Sequence, residues 1–215
     1  MSSPPTPPAF RRLPRAVREQ QMLDAAVRAF SRRGFHAASM DEIAEDAGIS
    51  KPMVYAYLGT KEELFVACLH REGTRMVEAI AGAAAPDLPA DERLWRGLRA
   101  FFGFVGRHRD GWVVLYRQAR GEQPFARELA TMRGKLVEVV AGMLDHALRA
   151  RGREVRETDL EVVAYALVGA SESLADWLAD HPEADPEKTA TRMMNVAWLG
   201  ADQLLRGITW RPTDR

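Results

Sequence analysis

The sequence contains very little cysteine and no long apolar stretch. Cys68 is the single cysteine among 215 residues, so an intrachain disulfide is excluded and a reducing compartment is favoured. The longest stretches without a charged residue, Met1 to Phe10 and Val162 to Ser171, have ten residues each, whereas a membrane-spanning helix needs roughly 18. We therefore expect no transmembrane helix and no membrane partner.

The start of the chain, MSSPPTPP, also lacks the basic leader and the apolar core of a secretory signal. Its proline content predicts a disordered arm over residues 1–14, which also contains arginines. The expected location of the protein is the cytoplasm.

Neither sign of charge is in excess, since 30 basic and 30 acidic residues cancel. No global electrostatic field therefore attracts the protein to a nucleic acid, and any such binding must be local. Up to Lys61 there are nine Lys and Arg against six Asp and Glu, a difference of +3, and the remainder of the chain carries −3. The positive excess lies in the N-terminal part.

Catalytic and metal-binding patterns are missing as well. The five histidines stand singly, without a His-Glu-x-x-His motif or a cysteine partner, and no Gly-rich phosphate loop occurs. The stretch Gly169 to Ser173 resembles a Gly-x-Ser-x-Gly nucleophile elbow, but Ser replaces its last Gly and it lies in a helical pattern. The sequence therefore predicts that the protein is not an enzyme and binds no metal ion or cofactor.

Almost every long segment has apolar residues at the helical period, and no alternating β-branched run bounded by turns occurs. The expected fold class is all-α. The predicted helices are short up to about residue 61 and longer beyond it. This contrast predicts a three-helix domain over residues 15–61 and a larger helical domain over residues 62–215.

Residues that end and start helices define the short helices of the first domain. Glycine supplies the left-handed position that ends a helix, and Ser or Thr followed three residues later by Glu forms a capping box. The predicted helix ends are Gly34, Gly48 and Gly59, the predicted N-cap is Ser50, and the predicted capping boxes are Ser39 with Glu42 and Thr60 with Glu63. Two short helices joined by a tight glycine turn indicate a helix-turn-helix, which places its second helix in the major groove of DNA.

The second of these helices, Lys51 to Leu58, has side chains suited to DNA. Val54 and Leu58 share one face, which leaves a lysine, two tyrosines and a methionine on the other sides. Lysine pairs with phosphate or guanine, tyrosine hydroxyls donate to phosphate oxygens, and methionine contacts a thymine methyl group. This surface predicts a recognition helix.

The stretch from Met22 to Leu64 resembles the DNA-binding domain of the TetR (tetracycline repressor) family. In that family a first helix ending in Gly-Phe is followed by Ile-Ala-x-x-Ala-Gly-(Val/Ile)-Ser, a Tyr-centred recognition helix and Lys-Glu-x-Leu. The matching residues here are Gly34-Phe35, Ile43 to Ser50, Tyr55, and Lys61 to Leu64. Leu58 departs from the family pattern, since it replaces the frequent last aromatic residue of the recognition helix.

The resemblance implies DNA contacts residue by residue. Tyr55 and Lys61 are expected to hold phosphates, and the start of the recognition helix is expected to read bases. The full set of expected DNA-binding residues is Ser39, Ser50, Lys51, Pro52, Met53, Tyr55, Tyr57 and Lys61. Because a domain of this size reads half a site, the expected partner is a palindromic operator bound by a homodimer.

The last two predicted helices carry more apolar residues than an amphipathic helix of a monomer requires, which indicates a dimer contact. These residues are Val162, Val163, Leu167, Leu174 and Leu178 in one helix and Met193, Met194, Val196, Ala197, Leu199 and Leu204 in the other. In the TetR family the corresponding pair forms a four-helix bundle with its symmetry mate. The alternative is that they belong only to the core of one chain.

The middle helices are rich in aromatic residues, which in most proteins belong to the core. The resemblance implies instead that some of them enclose a small hydrophobic effector. The candidate effector-binding residues are Phe101, Phe104, Trp112, Tyr116, Arg120, Tyr165 and Glu172. For Glu172 the sequence leaves three roles open, which are contact with a ligand, pairing with an arginine of a partner chain, and exposure to solvent.

Together these patterns predict a ligand-responsive transcriptional regulator. We expect a repressor that binds a palindromic operator as a homodimer and is released by a small hydrophobic effector. The alternative is a helical adaptor that uses the helix-turn-helix for protein contacts, which leaves the Lys and Tyr surface of the recognition helix without a purpose.

Overall fold

The computed structural model describes residues 14–123, 125–150, 152, 154 and 156–205. Within these ranges the regular secondary structure is entirely helical and contains no strand, so the expected all-α fold is confirmed. Apart from Pro14, the arm predicted over residues 1–14 lies outside the described residues.

The chain divides into two compact units between Ala67 and Cys68. The first unit contains α1 (Arg15–Ala37), α2 (Met40–Asp46), α3 (Lys51–Leu58) and the beginning of α4 (Lys61–Ala83). The domain boundary expected at residue 61 coincides with the start of α4, whereas the division between the units lies further along that helix. The first turns of α4 belong to the first unit because they bury Leu64 and Phe65 in its core.

The regular helix of α1 is interrupted at Gly34, the residue at which the sequence predicts its end. Gly34 has a φ of 76°, which glycine adopts without strain, and one further turn follows it. This turn brings the ring of Phe35 to 6.1 Å from Phe30 and 5.3 Å from Phe65. The three rings lie at the core of the first unit and fix α1 against the start of α4.

The two predicted capping boxes form to different extents. The hydroxyl of Ser39 accepts a hydrogen bond from the Glu42 N–H at 3.1 Å, but the Glu42 carboxylate pairs with Arg33 instead of returning to Ser39. Thr60 and Glu63 form both halves, since the Thr60 N–H donates to the Glu63 carboxylate at 2.7 Å and the Glu63 N–H donates to the Thr60 hydroxyl at 3.2 Å.

Ser50 lies at the N-cap of α3, but its side chain makes no capping hydrogen bond. Pro52 has no N–H to donate, and the N–H of Met53 donates to the carbonyl oxygen of Ser50 at 2.9 Å. The side-chain cap expected at Ser50 is therefore absent, although α3 begins at Lys51 as predicted.

The second unit is built from longer helices. After the end of α4 it contains α5 (Ala90–Arg107), α6 (Arg109–Trp112), a π-helix (Val113–Gln118), α7 (Ala119–Gly121), α8 (Phe125–Arg149), α9 (Glu157–Asp180) and α10 (Pro186–Leu205). Helix α5 packs mainly on α10, and α8 packs on α9. The sequence predicts a short helix over Gly111 to Ala119, and most of this segment forms the π-helix in the structure. A π-helix has a wider turn than an α-helix, and such turns frequently occur at functional sites.

Helix α9 is the one helix of the described ranges whose length and mean hydropathy match those of a membrane span. Core helices of soluble proteins meet the same criterion, and α9 buries Ala164, Ala175 and Leu178 within the second unit. The absence of a transmembrane helix stays a prediction from the sequence.

Candidate nucleic-acid surface and ligand cavity

The recognition helix α3 buries one face and exposes the other. Val54 is fully buried, whereas Lys51, Pro52 and Tyr55 are exposed and Met53 is half-buried. Tyr57 is half-buried, and the guanidinium of Arg15 lies 5.1 Å from the centre of its ring. The side chains predicted to contact DNA therefore lie on the accessible sides of a helix whose inward face is anchored in the core.

Lys51 is paired within the first unit. Its Nζ donates to the Asp41 carboxylate on α2 at 2.9 Å, and this hydrogen bond raises the pKa of Lys51 above its ordinary value. Both side chains are exposed, so the pair is weak and exchangeable. Lys51 remains able to leave Asp41 for an acceptor on DNA.

Lys61 has partners as well. Its Nζ donates to the carbonyl oxygens of His36 and Ala38, at 3.0 and 2.9 Å, and lies 4.9 Å from the centre of the Phe35 ring. These bonds satisfy backbone acceptors at the end of α1. An ammonium group has three N–H donors, so one remains for a phosphate oxygen.

Helix α2 supplies acidic partners to three cations of the first unit. Asp41 pairs with Lys51, as described above. Glu42 pairs with Arg33 at 2.8 Å, and Asp46 pairs with Arg28 at 2.9 Å. Much of the positive charge counted in the sequence is therefore locally compensated, which composition alone does not reveal.

The second unit contains a cavity of about 410 Å³. Its walls are mostly aliphatic and come from α4, α5, the π-helix, α8, α9 and α10. Three of the seven predicted effector residues, Phe101, Tyr116 and Glu172, line it. Ser171, one residue before Glu172, also lines the cavity, and its hydroxyl donates to the Leu167 carbonyl at 2.8 Å.

The other four predicted effector residues are outside the cavity lining. Trp112 is fully buried, stacks on Tyr116 at 4.2 Å and donates from Nε1 to Asp176 at 2.9 Å. Phe104 is buried beside His108, with 4.7 Å between their ring centres.

Arg120 and Tyr165 support the cavity wall from outside. The guanidinium of Arg120 lies 5.0 Å from the centre of the Tyr116 ring and 3.8 Å from the Glu172 carboxylate. Tyr165 is exposed on α9, with the guanidinium of Arg133 5.2 Å from its ring centre. Arg120 therefore contacts two lining residues directly, whereas Tyr165 acts on the lining only through Arg133.

The carboxyl group of Glu172 is buried in the cavity wall and paired. Nε of Arg133 donates to its two oxygens at 2.8 and 3.1 Å. Burial, and to a smaller extent the carboxylate of Asp176, raises the pKa of Glu172 to about 7. The Arg133 contact acts in the other direction, because a cation favours the ionised carboxylate. Burial is the largest of these effects, so we expect the group to titrate near neutral pH.

Several lining residues were not predicted from the sequence. The aliphatic ones on α8, such as Leu136, Val140 and Met143, read as ordinary core positions. Two basic residues, Arg93 on α5 and His146 on α8, also line the cavity. The one available sequence signal was a basic residue, Arg93, within the apolar pattern of α5. That Arg93 lines the cavity follows only from the packing of α5 on its neighbours.

Helices α9 and α10 expose apolar side chains. Val162 and Val196 are 68% and 71% exposed, and Trp177 on α9 is 40% exposed. Of the residues predicted to form a dimer contact, Leu178, Met193 and Ala197 are instead buried within their own unit, which removes them from that set. The side chains of Leu199 and Leu204 are not among those that the structure describes.

Two family models match the chain. Residues 22–68 match the one described as bacterial regulatory proteins, tetR family, and residues 90–200 match the one described as tetracyclin repressor-like, C-terminal domain. Together they cover both units.

Full-length relatives agree with these matches. The HTH-type transcriptional activator FasR of Mycolicibacterium smegmatis is 30% identical over 190 residues, which cover 88% of this chain and 85% of FasR. The solved structure of a TetR-like transcriptional regulator from Rhodococcus sp. RHA1 is 49% identical, with a TM-score of 0.77, and covers 89% of this chain and 99% of that one.

The fold is also shared with the transcriptional regulator FadR from Bacillus subtilis, solved in complex with stearoyl-CoA. The two chains are 16% identical, with a TM-score of 0.73 over 83% of this chain and 96% of FadR. This likeness concerns the fold.

Replacing Glu172 by Gln is expected to help stability more at pH 8 than at pH 5.5. With a pKa raised from 4.5 to about 7, the wild-type carboxyl stabilises the fold fully below pH 4.5, and this contribution is lost as the pH rises through 7. A glutamine side chain does not titrate, so the difference in unfolding free energy between variant and wild type should rise by about 2 kcal/mol from pH 5.5 to 8. Thermal or urea unfolding at the two pH values measures it.

The matched control is Glu138→Gln, which removes an exposed carboxylate from α8. This control should show no such change with pH. If Glu172→Gln is instead more destabilising at pH 8 than at pH 5.5, the ion pair with Arg133 outweighs burial and the expectation is wrong.

Proposed function

The chain belongs to the TetR family of helix-turn-helix transcriptional regulators, and we propose that it binds a palindromic operator as a homodimer in the cytoplasm and is released from it by a small hydrophobic effector. The observation that carries this proposal is the pairing of an exposed recognition helix in one unit with a largely apolar cavity in the other. An adaptor that made only protein contacts would need neither.

On the DNA side, we assign base contacts to Lys51, Pro52, Met53 and Tyr57 and phosphate contacts to Tyr55 and Lys61. The exposure of Lys51, Pro52 and Tyr55 on α3 supports this assignment. The N-termini that begin after Ser39 and Ser50 carry backbone N–H groups suited to phosphate oxygens. Lys51 reaches a base once it leaves Asp41.

The dimer interface is assigned to the exposed apolar side chains of α9 and α10. Val162, Trp177 and Val196 would lose their contact with water in such an interface, and burial of apolar area is the main driving force of stable association. A dimer presents two recognition helices to the two halves of an inverted repeat.

The effector is assigned to the class of molecules with a long apolar chain. The aliphatic walls of the cavity support this class, and FadR, which shares the fold, binds stearoyl-CoA. Effector binding to one of two conformations shifts the population toward it, and release from DNA follows if that conformation separates the recognition helices unfavourably.

The first experiment is a selection of bound fragments from a random duplex library at about 150 mM salt, where weak non-specific phosphate binding no longer dominates. We expect an inverted repeat from the wild-type protein and none from Lys51→Glu, which should still fold and dimerise. A Glu45→Gln variant controls for charge changes in the same unit. Failure of a folded wild-type dimer to select any motif, with and without acyl ligands, contradicts the proposal and favours the adaptor alternative.

Replacing Asp41 by Asn is expected to strengthen binding to random-sequence DNA several-fold. Asp41 competes with phosphate for Lys51, so its removal frees a cation and should steepen the salt dependence of log K by up to about one unit of slope. Fluorescence anisotropy over a salt series measures both quantities.

Glu45→Gln is the matched control, because it removes one exposed carboxylate from the same helix. General electrostatics would give equal effects for the two variants. Equal salt slopes for Asp41→Asn and Glu45→Gln would therefore show that the Lys51 pair has no special role.

A charge at Val196 is expected to break the dimer. Val196→Glu places a carboxylate in the assigned interface, where its desolvation is costly, so the variant should sediment as a monomer at micromolar concentration. Val139→Glu introduces the same group at a 57% exposed position on α8 and should remain dimeric. A dimeric Val196→Glu protein would place the interface elsewhere.

A further inference from the structure

The cavity of the second unit is elongated along α8. Its lining residues on this helix extend from Leu136 to Ala147, a separation of about 17 Å at the rise of an α-helix. The cavity therefore has two ends, and the residues at each end differ in exposure and in charge.

The inner end is buried. Phe101, Tyr116, Val168 and Glu172 all lie there with little exposure. The outer end lies between the beginning of α5 and the end of α8, where Pro89, His146 and Ala150 are exposed. A ligand enters most directly through the outer end.

Charge also separates the two ends. At the inner end the one acidic lining residue, Glu172, is already bonded to Arg133. At the outer end the lining contains the guanidinium of Arg93 and the imidazole of His146. Two of the acids near this end have other basic partners, since Glu92 pairs with Arg96 and Asp145 pairs with Arg149.

Arg93 has an unmet hydrogen-bonding need. Among the described residues, its Nε is the one buried side-chain nitrogen or oxygen without a hydrogen-bond partner. Burying such a group without a partner costs about 1–3 kcal/mol. An anionic oxygen is the acceptor that a guanidinium binds most strongly, because the hydrogen bonds are charge-assisted. Because Nε is covered by protein atoms, such an oxygen reaches it only after the Arg93 side chain turns toward the cavity.

We propose that the effector is an amphipathic anion whose head group binds Arg93 at the outer end and whose apolar chain extends inward along α8 to Tyr116 and Glu172. This inference rests on the proposed function, since it concerns the same effector site. A cavity of about 410 Å³ is near the lower end of small-molecule pockets. The apolar chain of the effector fits inside this cavity, and a bulky head group stays at the surface of the protein.

Two sources share this chemistry, a fatty acid with a free carboxylate and an acyl thioester with phosphates on its carrier. The test is calorimetric titration of the full-length wild-type protein and its variants with palmitate, palmitoyl-CoA and hexadecanol, which has the same chain and no charge. Operator binding is measured on the same preparations.

For the wild-type protein we expect an anionic ligand to bind more tightly than hexadecanol. Arg93→Gln should weaken binding of that ligand about tenfold to hundredfold, the usual loss for a hydrogen bond to a charged group, and leave hexadecanol unchanged. Arg93→Lys, which keeps the charge, should recover part of the affinity. Arg99→Gln, further along α5 and paired with Glu187 on α10, is the matched control and should leave all three ligands unchanged. The tighter of palmitate and palmitoyl-CoA then identifies the head group.

The outcomes separate this inference from the proposed function. If all three ligands bind equally, or if Arg93→Gln weakens hexadecanol as much as the anions, the head-group assignment is overturned and the hydrophobic effector stands. If none of the three binds while the operator is still bound, the acyl effector class and the head-group assignment are both overturned. Loss of both operator and ligand binding in Arg93→Gln, restored by Arg93→Lys, means that the charge supports the fold and also overturns the assignment.

Discussion

A buried carboxylate in α4 and its partners constrain the packing of the second unit. Glu72 is almost completely buried, and its carboxylate is held by the guanidinium groups of Arg71 and Arg75 at 2.7 and 3.2 Å. A buried carboxylate without such partners is strongly destabilising. The backbone of Gly111 approaches it so closely that a Cβ there would lie 2.6 Å from Oε2. The register between α4 and the helical segment that contains Gly111 is therefore fixed by one ion cluster and one glycine.

This contact gives the proposed regulation a physical route. Gly111 precedes Trp112, Trp112 stacks on Tyr116, and Tyr116 lines the cavity. Under the proposed function, a ligand that displaces Tyr116 would act first on the π-helix, whose wider turn differs from that of an α-helix. The close approach of Gly111 to the Glu72 carboxylate would then bring the displacement to α4.

The fold of the first unit was largely predictable from the sequence because its signals are local. Gly48 and Gly59 have φ values of 67° and 72°, as helix-ending glycines require, and Thr60 with Glu63 forms the complete capping box. Ser50 was the exception. Pro52 has no N–H to donate, and the Met53 N–H donates to the Ser50 carbonyl oxygen, so the Ser50 side chain makes no capping hydrogen bond.

The cavity was predictable only in part, because it arises from packing between helices that are distant in the sequence. Aromatic content selected Phe101 and Tyr116, which line the cavity, but it equally selected Trp112 and Phe104, which fill the core beside the cavity. No sequence pattern distinguishes an aromatic side chain that faces empty space from one that faces another ring. Arg93 was missed for the same reason, since its partnerless Nε is a property of the packed structure.

The energetics of the proposed switch favour a long apolar chain. Moving a two-state equilibrium from 1:99 to 99:1 requires a difference of about 5.5 kcal/mol in effector affinity between the two states. Each buried methylene contributes about 0.8 kcal/mol, so about seven methylenes that are buried in only one state supply the whole amount. The apolar chain of the effector can therefore provide the free energy of switching. The contact at Arg93 then determines which amphipathic molecules are selected.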